Sequence, residues 1–161
     1  MPLSIGSKAP DFKLTSIGAS GPEYVNLAGG GKTVILFFPM AFTGKCTEEF
    51  CSISAGLNDY TSVNARVLGI SGDNPFAQKA WADKEKITVP LLSDYDHSVA
   101  KAYGVAYDSF LPEKNLGQAG VAKRSAFIVD SNGVIQYAES SDNPGQLPDF
   151  SAIKSKLAEL K

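Results

Sequence analysis

Residues 33–38 read TVILFF and residues 65–71 read ARVLGIS. Both are short, nearly unbroken apolar runs rich in β-branched side chains. A strand with one wet face alternates polar and apolar residues, so a run without alternation describes a strand buried on both faces. Each run is followed by a segment with helical signals. After the first, a helix is expected from about residue 46 to residue 61, with Phe50, Ile53, Leu57 and Tyr60 as its apolar stripe. After the second, Asn74-Pro75 is a helix-start signal for residues 76–86. Buried strands alternating with helices require covering layers, and they restrict the chain to an α/β sandwich.

The remaining segments complete that sandwich. Residues 11–16 and 23–27 are partly alternating and read as an N-terminal β-hairpin. Residues 28–32, AGGGK, are a turn. Residues 89–94 suggest a short strand end, and Asp96 is placed to cap a helix over 98–103. Residues 104–122 carry Gly and Pro and read as a long loop. Residues 125–130 and 134–139 flank Ser-Asn-Gly and predict a second hairpin. Residues 150–160 form a closing helix. The order of strands and helices predicts a mixed sheet. No repeat, low-complexity tract or linker divides the chain, so residues 1–161 are expected to form one domain.

Composition excludes several functions. The chain has 161 residues, 43% hydrophobic and 20% charged, which is enough for a core without a disulfide or metal staple. The net charge is −2 with no basic run, which argues against nucleic acid or an anionic membrane as partner. No apolar run approaches the ~18 residues of a membrane span. The first residues lack a signal layout and the last lack a retention tag, so a cytoplasmic location is expected. GGGKT (29–33) superficially suggests a phosphate-binding loop. Such a loop needs glycine where Asn26 stands, and it opens a helix, whereas this one opens a strand.

Both cysteines lie in PMAFTGKCTEEFC, residues 39–51. In a reducing compartment such a pair is more often catalytic, redox-active or plain core than a staple. With His97 as the single histidine, the set is too small and scattered for zinc, and no metal or cofactor is expected. Cys46 sits where the strand hands over to the helix. The unpaired N–H groups and partial positive charge there favour a thiolate. Thr43 can aim a hydroxyl at the sulfur or a substrate, Gly44 permits close backbone approach, and Pro39 removes an N–H and stiffens the loop. On an intact helix, residues five apart are separated by about 7.5 Å along the axis and about 140° around it. Their Cα atoms are then roughly 8–9 Å apart, beyond the ~7 Å reach of a disulfide. Cys46 and Cys51 can therefore bond only if the helix start unwinds.

Simpler readings accompany each residue. Cys46 could be a buried core thiol and Cys51 a passive helix residue. Thr43 could be a helix cap and Arg124 a strand-end surface charge. Glu49 reads as a helix-surface carboxylate or as the partner that orients an arginine. His97 reads as a solvated residue in a first helical turn, and Trp81 as core or interface.

Pro39-x-x-x-Thr43-x-x-Cys46 resembles the active-site signature of the peroxiredoxins, and Glu49 matches a position typical of them. APDF (9–12), LLSD (91–94), AYGV (102–105) and Arg124 before AFIVD (126–130) extend the resemblance over most of the chain. AFTGKC and the Trp81 helix are similar to the alkyl hydroperoxide reductase E branch. A second cysteine at +5 is similar to the bacterioferritin-comigratory, Q-type branch. The resemblance implies a thioredoxin-like fold with an N-terminal hairpin and a thiol peroxidase acting on hydrogen peroxide or organic hydroperoxides. It implies Cys46 as the peroxidatic cysteine, Thr43 and Arg124 as ligands of the peroxide oxygens, and Pro39 as a shield. Cys51 would be the resolving cysteine, reset by a thioredoxin- or glutaredoxin-like reductant. Many such proteins are dimers, so a homodimer is also implied. Two other functions remain open: a one-cysteine peroxidase resolved by an external thiol, and a redox sensor. A disulfide oxidoreductase is disfavoured by the lack of Cys-x-x-Cys.

Overall fold

The computed structural model describes residues 2–160. In chain order it forms β1 (Lys13–Gly18), β2 (Gly21–Asn26), β3 (Thr33–Phe37), α1 (Gly44–Ala55), α2 (Asn58–Thr61), β4 (Arg66–Ser71), α3 (Pro75–Glu85), β5 (Leu91–Ser93), α4 (Ser98–Ala102), β6 (Ser125–Val129), β7 (Ile135–Ser140) and α5 (Phe150–Glu159). The strands make one sheet in the order β2-β1-β5-β4-β3-β6-β7. β3, β4 and β5 run parallel, while the pairs β1–β2, β1–β5, β3–β6 and β6–β7 are antiparallel. This is the expected mixed sheet with its N-terminal hairpin.

β3 lies inside the sheet between β4 and β6, and every one of its residues is buried. Its side chains divide between two cores, as the pleat requires. Val34 and Leu36 pack with Phe50, Ile53, Trp81 and Ile153 beneath the α1, α3 and α5 side. Ile35 and Phe37 pack on the other face with Val99, Tyr103 and Phe127. The missing alternation in TVILFF thus has its cause in two apolar faces. The same arrangement points the C-terminal end of β3 at the start of α1.

Three local expectations change. The helix expected over 46–61 starts earlier, at Gly44, and breaks at Gly56, which adopts φ −106°, ψ 21° and donates to Ser52 and Ile53 carbonyls. A one-turn α2 follows, so Tyr60 is buried while Leu57 is only half-buried. Glycine has little helix preference, and the turn lets Tyr60 reach the core. α4 is capped chiefly by Asp94, whose two oxygens accept from Val99 and Ala100 N–H; Asp96 accepts only from Ser98 N–H. His97 is half-buried, not fully solvated, and sits just before α4 at φ 63°. A methyl group on Gly72 or on Gly120 would collide with its ring. The loop 104–122 is folded on itself by the bridges Ala106–Ala122 and Phe110–Gln118 and by a single 3-10 turn, Pro112–Lys114. Among the described residues, no helix is long and apolar enough to cross a membrane.

Candidate active site

Thr43 occupies the N-cap position of α1, and Cys46 lies in the first turn. The first bond of the helix runs from Thr47 N–H to Thr43 C=O. The N–H groups of Gly44, Lys45 and Cys46 are therefore the open donors of the helix start. The Thr43 hydroxyl makes no cap bond. It donates instead to the Met40 carbonyl at 2.8 Å, which leaves its lone pairs as acceptors. Thr43 is exposed, whereas Cys46 is 0% exposed beneath it.

Arg124 is the charged partner of the buried sulfur. It leads into β6, which is the antiparallel neighbour of β3, and that adjacency carries its side chain under the start of α1. One terminal nitrogen donates to Cys46 Sγ at 3.1 Å and the other to Glu49 Oε1 at 2.7 Å. Its Nε donates to the Pro144 carbonyl at 3.0 Å. The guanidinium is 3% exposed and Glu49 is 0% exposed. Arg124 is thus neither a surface charge nor free to swing, because all three nitrogens are fixed by separate partners. Burial works against its cation, yet Cys46 and Glu49 outweigh that penalty and hold its pKa above the usual arginine value. Burial pushes Glu49 up, Arg124 pulls it back only in part, and Glu139 adds a small push, leaving it at about 7. Its Oε2 is buried with no hydrogen-bond partner among the described residues. The surface reading of Glu49 is therefore replaced by the ion-pair reading.

Pro39, Thr43 and Arg124 line one pocket of ≈ 240 Å³, walled also by Met40, Phe110, Leu111 and Leu116. Pro39 itself is buried. Four of the five residues singled out from sequence therefore converge on one place. The apolar wall from the loop 104–122 was missed. The only sequence signal for it was three large apolar residues, Phe110, Leu111 and Leu116, in the otherwise mostly polar stretch 108–118.

Cys51 lies elsewhere. It is half-buried on α1, and both thiols are free. Its Sγ donates to the Glu85 carbonyl at the end of α3, at 3.6 Å. Burial, and secondarily Glu85, raises its pKa, so it is a thiol at neutral pH. Its bond is one of three that clip α1, in register, to α3 and the segment that follows it. Trp81 Nε1 donates to Thr47 Oγ1 at 3.0 Å, and Thr88 N–H donates to Ser54 Oγ at 2.9 Å. Each pair is separated by 34 residues. α1 is intact from Gly44 to Ala55, so both cysteines sit on continuous helix. Among the described residues, no cluster of side chains could hold a metal ion.

A model described as the AhpC/TSA family matches residues 5–138. The chain belongs to that family. It is a peroxiredoxin, a thiol-dependent peroxidase. An alkyl hydroperoxide reductase E of Mycobacterium bovis is 37% identical over 98% of each chain. A chloroplastic 2-Cys peroxiredoxin BAS1 of Hordeum vulgare is 34% identical over 86% of this chain and 66% of that one. Among solved structures, peroxidoxin BcpB from Mycobacterium tuberculosis superposes with a TM-score of 0.82 at 26% identity, covering 99% of both chains. The reduced 2-Cys peroxiredoxin of Plasmodium vivax gives 0.83 at 26% identity, covering 98% of this chain and 81% of that one. The peroxiredoxin fold is thioredoxin-like, in agreement with the sheet described above.

Proposed function

We propose that Cys46 is the peroxidatic cysteine of this peroxiredoxin and that Cys51 resolves it. The observation that carries the first assignment is the buried Arg124 guanidinium bonded to Cys46 Sγ and Glu49 at once. The Cys46 thiolate attacks the terminal oxygen of a hydroperoxide, ROOH. The S–O bond forms as the O–O bond breaks, giving a sulfenic acid and RO⁻, which takes a proton to become ROH. Arg124 stabilises the charge developing along the breaking bond, and the Thr43 oxygen accepts from the peroxide hydroxyl. Pro39 keeps water from the sulfenic acid. The apolar wall of Met40, Phe110, Leu111 and Leu116 supports an organic R group as well as hydrogen peroxide.

Resolution couples the Cys46 sulfenic acid with the Cys51 thiol, releasing water and forming an intramolecular disulfide. The helical spacing requires α1 to unwind first. A thioredoxin- or glutaredoxin-like dithiol then restores both thiols by exchange. The protein is expected to act as one domain, residues 1–161, in the cytoplasm. Self-association as a homodimer would use the edge beside the pocket, where Phe42 is 54% and Leu116 38% exposed.

The engagement of Cys51 with Glu85 favours a second reading, a one-cysteine peroxidase resolved by an external thiol. One experiment separates the two. Reduced protein receives one equivalent of hydrogen peroxide, followed by intact mass and peptide mapping. Loss of two hydrogens at a Cys46–Cys51 bridge supports internal resolution. Gain of one oxygen on Cys46 with Cys51 free supports the external thiol. No change at Cys46 overturns the peroxidatic assignment.

A further inference from the structure

The six-residue segment 38–43 joins β3 to α1 and carries three of the pocket's residues, Pro39, Met40 and Thr43. It contains an unfavourable backbone. Phe42 has φ 66°, the left-handed region that a bulky side chain avoids, and its ring is 54% exposed, so packing does not hold it there. Two hydrogen bonds bracket it. One is local, from Thr43 Oγ1 to Met40 C=O. The other comes from 32 residues away: Ala41 N–H donates to Asp73 Oδ2 at 2.8 Å.

Asp73 is itself fixed from three sides. Its Oδ2 also accepts from Ser71 Oγ–H at 2.7 Å, and its own N–H donates to Ser71 Oγ at 3.3 Å. Its carbonyl accepts from Ser93 Oγ–H at 2.6 Å. Ser71 Oγ accepts in addition from Gln78 Nε2 at 2.9 Å, and Gln78 reaches on to Leu92 C=O. Ser71, Gln78 and Ser93 are all buried. One hydroxyl donating once and accepting twice is chemically complete. The ends of β4 and β5 and the first turns of α3 thereby form a polar hub. Its connection toward the pocket is the carboxylate oxygen on Ala41 N–H, one residue before the strained Phe42 and two before Thr43.

From this geometry we infer that Asp73 is a positioning residue for the peroxide step, acting through Ala41 and Phe42 on the Thr43 hydroxyl. The inference rests on the peroxidase reading above. Asp73 does not touch Cys46, Arg124 or the pocket. Its removal frees Phe42 to leave the left-handed region, which turns Thr43 away while Arg124 stays on the sulfur. Misplacement of a substrate-binding group by about 1 Å can cost on the order of 100-fold in rate.

The test compares two reactions of Cys46. Oxidation by hydrogen peroxide uses Thr43 and Arg124, whereas alkylation by iodoacetamide uses the thiolate alone. Asp73→Ala is expected to slow peroxide oxidation about 10- to 100-fold and to leave alkylation within about twofold of wild type. Asp73→Asn retains an oxygen for Ala41 N–H and recovers most of the rate. Thr43→Val slows the same step, and adding Asp73→Ala to it costs no more than about twofold further, because both act at one hydroxyl. Equal slowing of both reactions by Asp73→Ala, unchanged peroxide oxidation, or full additivity with Thr43→Val would each overturn the inference. If Asp73→Ala does not fold, Ser71→Ala carries the test, with an expected drop of about threefold in peroxide oxidation alone; no drop overturns it. Wild-type Cys46 that fails to react with peroxide at all overturns the peroxidase reading instead, which keeps the two failures apart.

Discussion

Cys46 lies in the first turn of α1 with no exposed surface, its sulfur bonded to a cation that a buried carboxylate holds in place. Cys51, farther along the same helix, is half-buried, donates weakly to one backbone carbonyl, and has its pKa raised by burial and a neighbouring carboxylate. The two thiols of one helix therefore meet opposite surroundings: one faces a fixed cation, the other a backbone carbonyl beside a carboxylate. On the proposed reading, the first sulfur attacks the peroxide and the second waits until the helix opens, so the difference teaches that such a pair is served by unlike environments.

The sharpest break of this comparison is to remove each sulfur in turn. Cys46→Ser is expected to slow peroxide consumption at least about 1000-fold, because an alcohol is a far weaker nucleophile than a thiolate. Cys51→Ser should leave the first oxidation within about twofold of wild type and change only the product, from a disulfide to an oxygenated Cys46. Stopped-flow rates with mass readout decide this. Equal loss of the first step in both variants would end the assignment of separate roles.

The next largest effect concerns the cation. Arg124→Ala strands Glu49, 0% exposed, without a partner, and denaturant unfolding should show a loss of about 3–5 kcal/mol. Replacing both partners, Arg124→Ala with Glu49→Leu, should recover most of the stability and none of the peroxidase rate. A double variant as unstable as the single would mean that the charge was not the cause.

A third prediction uses pH. Glu49 is raised from 4.5 to about 7 in the folded protein, so the folded state holds its proton more tightly than the unfolded chain. That contribution to stability is fully present below the unfolded value and is lost as pH rises through about 7. Wild type should therefore lose stability relative to Glu49→Gln between about pH 5 and 7, by on the order of 1 kcal/mol per pH unit at most. A difference that is flat with pH, or of opposite sign, would show that the Arg124 pair outweighs burial.

The fold was largely legible because its signals are local. Unbroken apolar runs gave the buried strands, Asn74-Pro75 opened α3, and Asn132-Gly133 marked the β6–β7 turn. The site was half legible. Spacing placed Pro39, Thr43 and Cys46 together, because they share one strand-loop-helix unit. Arg124 depended on resemblance, since no periodicity brings residue 124 to residue 46; the β3–β6 pairing does that. Burial of Glu49 was not legible, because a charged residue on a helix reads as surface until its partner is known. Residues contributed by a different loop, such as Asp73 and Leu111, leave no pattern near the cysteine at all.

The smallest effect sharpens the comparison on the Cys51 side. Ser54→Ala removes the acceptor for Thr88 N–H, the one of the three clips that ties α1 to the segment after α3. Thr88 is exposed, so water replaces much of the bond, and the change should be at most about 1 kcal/mol. Disulfide formation after Cys46 oxidation should accelerate about two- to fivefold, with the oxidation step itself unchanged. Rapid-quench trapping of the sulfenic acid measures both rates.

Trp81 is the only tryptophan in the chain, and its indole N–H is bonded to Thr47, the residue after Cys46. It is also fully buried against Phe38 and Phe50. The molecule thus carries a single indole clipped to the segment that must unwind if Cys46 and Cys51 are to bond. On that proposal each opening of α1 would break the bond and hydrate the indole, and each closing would restore it. Emission intensity and wavelength would then follow the cycle in real time, without a label and without a background from any other indole.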